Sequence, residues 1–280
     1  MPAATHFATA SLPSNGSEAP MTGTVRSHVL EPGIVQVTID QPERLNALSV
    51  KMWDELRDTM RTLDADESVR CIILTGAGDK AFGSGADISE FEETRSTAEK
   101  ARAYAKRTHG ALAAVAGCRH PVIAAIKGLC VGGGLELASC ADIRIAGRSS
   151  RFGVPVKRLG LVVAYEELRG LIELVGKANA LEILLEGSIF GTEDAIRMGL
   201  INRVVEDGGV DEAALAAARR IAEGAPLVAR WHKKFTRRLM DPKPLTAEEN
   251  DESYHCFDTE DFRIGSNSFL TKTKPTFVGR

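Results

Sequence analysis

The chain is predicted to fold as α/β. Strand-like and helix-like segments alternate along its first half, and strand-like runs such as VRCIILT (69–75) are apolar throughout, as in sheets covered on both faces. Glycine-rich loops follow these runs, which suits crossover connections better than hairpins.

The first strand is IVQVTI (34–39), alternating and β-branched, ended by Pro42 in QPERLNAL. A helix follows, with Ser49 as N-cap and Trp53, Leu56, Met60 and Leu63 at helical spacing. The buried strand 69–75 then enters the loop GAGDKAFGSGAD. A helix over 98–116 leads to a second buried strand, VIAAIKG, introduced by Pro121. The run GLCVGGGLELASCAD and a strand at 143–147 complete this half. From near Lys177 the texture turns helical: ANALEILLEG, EDAIRMGL and DEAALAAARRIAEGA read as helices separated by Gly187, Gly199 and the Asp207-Gly208-Gly209 turn. The tail from WHKKFTRRLMD onward carries most of the local positive charge, and no internal repeat is evident. Three divisions are expected: a disordered Ala/Ser/Thr/Pro-rich leader over 1–23, with Met21 a candidate natural start, a core over 24–206, and a helical region over 207–280.

A chain of 280 residues with 44% hydrophobic content can fill a sizeable core. Its formal net charge of −3 gives no basic footprint for nucleic acid. No run approaches the roughly 18 apolar residues of a spanning helix, so no membrane role is expected. The five cysteines are odd in number and lack C-x-x-C spacing, which fits a reducing cytoplasm. The six histidines are scattered without metal-ligand spacing, so no metal site is expected. Cys130 and Cys140 sit in apolar runs and read as buried hydrophobes rather than nucleophiles.

Two segments carry chemistry: AFGSGADISEF (81–91) and GLCVGGGLELASCAD (128–142), each a strand end, then glycines, then a helix start. Glycines let backbone N–H groups converge at close range. A phosphate cradle is disfavoured, because no Lys-Ser/Thr follows and GSGADI is not G-x-G-x-x-G. The remaining readings are an oxyanion hole built from one amide per loop, and glycines that merely permit tight helix–strand packing.

Together with QPERLNALS (41–49), VRCIILTGAG (69–78), PVIAAIKGLCVGGGLELASCADIRIA (121–146), RFGVP (151–155), GLINRVV (199–205) and FLTKTKPTFVGR (269–280), these loops resemble the enoyl-CoA hydratase/isomerase, or crotonase, superfamily. The resemblance spans about 34–280. It implies a spiral of repeated ββα units with a C-terminal helical trimerisation region, an acyl-CoA substrate, and a homotrimer or dimer of trimers. No separate cofactor is implied, since coenzyme A is part of the substrate. Ala86 and Gly133 would supply the two oxyanion N–H groups, and Ala86, Asp87, Ile88 and Ser89 would line the CoA path.

The family's hydratases use two carboxylates, and Glu136 matches the first position. The second falls on Val156, which can neither accept nor donate a proton. Where the family runs through a glycine-rich turn, this chain reads VVAYEELRGL (162–171), so Glu166, Glu167 or Tyr165 is a candidate replacement. The simpler reading of Glu136, Glu166 and Glu167 is that first-turn acids complement helix N-termini. Lys233, Lys234, Arg237, Arg238, Lys272 and Lys274 either meet CoA phosphates across a subunit boundary or form a solvated face. The leading functional expectation is hydration of a 2-enoyl-CoA through a stabilised enolate. The alternatives are a one-carboxylate reaction, such as isomerisation, decarboxylation or thioester hydrolysis, and non-catalytic acyl-CoA binding.

Overall fold

The computed structural model describes residues 23–280. The expectations for a leader and for a start at Met21 lie outside the described residues. The chain opens with a hairpin of β1 (Thr24–Glu31) and β2 (Ile34–Asp40), turned at Gly33 with φ +80°. Helix α1 (Val50–Ala65) begins where the Ser49 hydroxyl accepts the Met52 N–H. There follow β3 (Cys71–Gly76), β4 (Ala81–Gly83), α2 (Phe91–Arg95) and α3 (Ala98–Gly117). Next come β5 (Val122–Ile126), β6 (Leu129–Val131), α4 (Gly133–Ser139), β7 (Ile143–Gly147), β8 (Arg151–Gly153) and α5 (Tyr165–Glu186). The chain continues through α6 (Thr192–Arg197), β9 (Arg203–Val205), α7 (Val210–Ala222), α8 (Pro226–Leu239), α9 (Ala247–Glu252) and α10 (Glu260–Thr271).

Three times a long strand (β3, β5, β7) runs into a short one (β4, β6, β8) and then into a helix. The long strands form a sheet of order β1-β2-β3-β5-β7-β9, parallel from β2 onward, and the short strands form a second parallel sheet, β4-β6-β8. This is the spiral of ββα turns that the resemblance implied. The inner strands are apolar throughout because both faces are covered. Val37, Ile39, Ile72, Leu74, Val122 and Ala124 face a core with α1 and α3, while Ile34, Cys71, Ile73, Ile123 and Ile145 face Val210, Ala214, Ala217 and Ala218 of α7. The corners between strands are tight. A Cβ on Gly76 would lie 2.4 Å from the Ala81 carbonyl oxygen, and one on Gly128 2.1 Å from that of Lys80.

Several elements differ from expectation. The glycine loops contain β4 and β6, three-residue strands too short to register as alternation. The helical half begins at Tyr165, and the break near Lys177 is a kink at Gly176, where φ is 72° and ψ 167°. Within the expected helical region 207–280, α7 covers a face of the sheet. Helix α8 is tied to the spiral by Lys233, which pairs with Asp142 at 2.6 Å and donates to the His120 carbonyl. Among the described residues no helix is long and apolar enough to cross a membrane.

Candidate active site

The segment after β4 pairs with the segment before α1 through a parallel bridge between Leu48 and Ala86. The Leu48 N–H donates to the Gly85 carbonyl, and the Asp87 N–H donates to the Leu48 carbonyl. In extended backbone the groups of successive residues point to opposite sides, so the Ala86 N–H faces away from Leu48. On that opposite side lies the start of α4. A Cβ on Gly85, whose φ is +102°, would stand 3.3 Å from the Gly133 nitrogen, so only glycine lets the two loops approach. Gly134 is tighter still, since its Cβ would lie 2.2 Å from the Gly83 carbonyl oxygen. Neither the Ala86 nor the Gly133 amide has an acceptor among the described residues. The structure thus brings together the two amides named as candidate oxyanion donors.

Glu136 lies in the first turn of α4, partly accessible and closely surrounded, and its carboxyl accepts no hydrogen bond from described residues. Burial pushes it up to about 8; the neighbouring Glu167 charge adds to the rise, and the Arg95 guanidinium opposes it. Glu167 and Glu166 open α5 but point differently. Glu167 has a 19% exposed side chain, accepts the Ala164 N–H at 3.0 Å and lies 3.3 Å from His109 Nε2. Glu166 is 63% exposed and lies 3.8 Å from His109 Nδ1. Tyr165 projects outward, 89% exposed. Of the three candidates near the kinked helix, Glu167 alone raises the Glu136 carboxyl by its charge, and it also completes the helix start as a first-turn acid. Val156 packs against the core as an apolar wall.

Asp87 is buried beside the amides and is held by Arg44 at 2.6 Å and by the Ser89 amide and hydroxyl. Burial alone would raise its carboxyl, but these donors hold it below the usual range. Ile88 and Ser89 are exposed beside it. The cations of the C-terminal region are largely engaged within the chain. Besides Lys233, Lys234 pairs with Glu252, Arg238 with Glu249 and Lys274 with Glu223, while Arg237 donates to the Gly117 carbonyl and Lys272 lies exposed at the end of α10. Burial pushes the Cys140 thiol up to about 12 and that of Cys130 further, which leaves both inert as nucleophiles at neutral pH.

Other residues at the site have no marker in the sequence. Trp53, read from its spacing as a core residue, stands 3.3 Å (Cζ2) from where a Cβ on Gly133 would sit, and its Nε1–H donates to the Tyr104 hydroxyl at 2.9 Å. Tyr104 stacks on Arg95. His109 lines a groove of about 1290 Å³ between α3, α5 and α8, with Glu166, Arg169, Glu173 and His232. That groove does not include Ala86, Gly133 or Glu136.

Comparison with known proteins bears on the family and the fold. Residues 30–280 match the family model described as enoyl-CoA hydratase/isomerase. The chain is 33% identical over 243 residues to a short-chain-enoyl-CoA hydratase of Clostridium acetobutylicum, covering 86% of this chain and 92% of that protein. A solved enoyl-CoA hydratase/carnithine racemase from Magnetospirillum magneticum superposes with a TM-score of 0.90 at 48% identity, covering 91% of this chain and 96% of the other. An enoyl-CoA hydratase/isomerase family protein from Hyphomonas neptunium superposes at 0.88 with 38% identity, over 91% and 98%.

Proposed function

Because the chain belongs to the enoyl-CoA hydratase/isomerase family, we propose that it adds water across the double bond of a 2-enoyl-CoA, using Glu136 and Glu167 as its carboxylate pair. The observation that carries this reading is the approach of two amides without acceptors, those of Ala86 and Gly133, with the closely surrounded Glu136 in the first turn of the helix that Gly133 opens. The Glu167 charge, which raises the Glu136 carboxyl, supports Glu167 as the second acid. Ala86 and Gly133 donate to the thioester oxygen, where negative charge develops as the enolate forms. Glu136 holds a proton at neutral pH and delivers it to the α-carbon. Glu167 accepts a proton from the water whose oxygen bonds to the β-carbon, and the proton then returns to Glu136. His109 Nε2 lies 3.3 Å from the Glu167 carboxylate without a formed hydrogen bond, and turning the ring or the carboxylate would make one.

No cofactor beyond the CoA of the substrate enters this reaction. The five free cysteines support a reducing, cytoplasmic setting. A second reading, a one-carboxylate reaction such as isomerisation, decarboxylation or thioester hydrolysis, is favoured by Val156.

The test is crotonyl-CoA hydration followed at the enoyl thioester absorbance, with Glu136→Gln, Glu167→Gln and Glu166→Gln. The expected result is activity lost in the first two variants and kept in the third. Activity intact in Glu167→Gln would remove that residue from the pair, and a wild type inactive on crotonyl-CoA while binding it would favour the second reading.

A further inference from the structure

Arg95 is a cation without a counterion. Its guanidinium carbon lies 3.8 Å from the centre of the Tyr104 ring and 4.5 Å from that of Phe91, so two aromatic faces hold it. Its Nε is buried with no hydrogen-bond partner, and it forms no ion pair among the described residues. The acid whose carboxyl feels this guanidinium is Glu136. Glu136 is kept neutral at physiological pH by burial and by Glu167, and so does not balance the charge.

The position of this cation gives it a role. Arg95 stacks on Tyr104, Tyr104 accepts the Trp53 indole N–H, and Trp53 backs onto Gly133. This run of packed side chains links Arg95, at the partly exposed end of α2, to the Gly133 turn that opens α4. A guanidinium stacked on aromatic rings, with no carboxylate bonded to its terminal nitrogens, suits a planar acceptor with two oxygens.

We propose that Arg95 recognises a carboxylate carried by the acyl chain, so that the natural substrates are CoA thioesters with an anionic acyl end. This rests on the reading that an acyl-CoA binds at Ala86 and Gly133, and it does not depend on which reaction follows.

Isothermal titration with saturated thioesters, which cannot be hydrated, separates binding from chemistry. Succinyl-, glutaryl- and adipyl-CoA are compared with butyryl-, pentanoyl- and hexanoyl-CoA on wild type, Arg95→Gln and Arg95→Lys. At least one anionic thioester should bind wild type about tenfold or more tightly than its neutral counterpart, as a charge-assisted contact provides. Arg95→Gln should abolish that preference while leaving the neutral Kd within about twofold, and Arg95→Lys should keep part of it. The proposal is overturned if no anionic thioester is preferred by wild type, a result that needs no variant to fold. It is equally overturned if Arg95→Gln weakens both members of each pair alike, which would make Arg95 a tuner of Glu136 only. A wild type inactive on both crotonyl-CoA and its carboxylated counterpart glutaconyl-CoA, with the binding preference intact, would fail the hydratase reading and leave this one standing.

Discussion

In the proposed reaction Glu136 must give up a proton, and its surroundings disfavour the charge that this leaves behind. Its carboxyl sits at about 8 against an ordinary 4.5, so the folded state binds a proton that the unfolded chain has already released between those values. The stability this contributes is complete below pH 4.5 and is lost as pH rises through 8. Glu136→Gln, which never ionises, should therefore lose less stability than wild type as pH climbs from about 5 to 8 in denaturant titrations. The same substitution should lower kcat by about 10²–10⁴-fold with little change in thioester affinity. In wild type the alkaline limb of kcat/KM against pH should fall near 8, as Glu136 loses the proton it must give. Ala86, Gly133 and Glu136 could be named as candidates from the family resemblance because each lies in a short motif that follows a strand. Arg95, His109 and Trp53 could not, because they reach the site from three different helices and no local spacing links them.

At the scale of elements, the long strands could be read because burial on both faces imposes unbroken apolar runs, as in β3. The exposed edge strand β1 and the three-residue strands β4, β6 and β8 could not, since mixed polarity or brevity erased the signal. Helix α4 depends on the closest approach in the site. The added methyl of Gly134→Ala would meet the Gly83 carbonyl oxygen at 2.2 Å, and backbone must move to admit it. That substitution should cost about 3 kcal/mol or more in urea unfolding. At α1 the change Ser49→Ala removes only the acceptor of the Met52 N–H, and should cost about 1 kcal/mol by the same measurement.

At the scale of the whole molecule, the C-terminal helices leave apolar side chains uncovered: Phe269 is 85% exposed, Leu270 79% and Leu239 66%. Exposed apolar side chains on α8 and α10 would supply an association surface for the trimer the resemblance implies. The expected outcome of light scattering behind size exclusion is a particle of about three or six times the 30.1 kDa chain mass. Phe269→Glu with Leu270→Glu should shift the particle toward monomer. The spiral itself has a further consequence. Its first turn supplies Ala86, its second Gly133 and Glu136, and its third Val156 and Glu167. Three windings with one backbone plan and no shared sequence can drift separately, so a lineage that keeps the first two windings is free to rewrite the third. What is done with a bound thioester can then change over evolutionary time while the means of holding its oxygen is inherited unaltered.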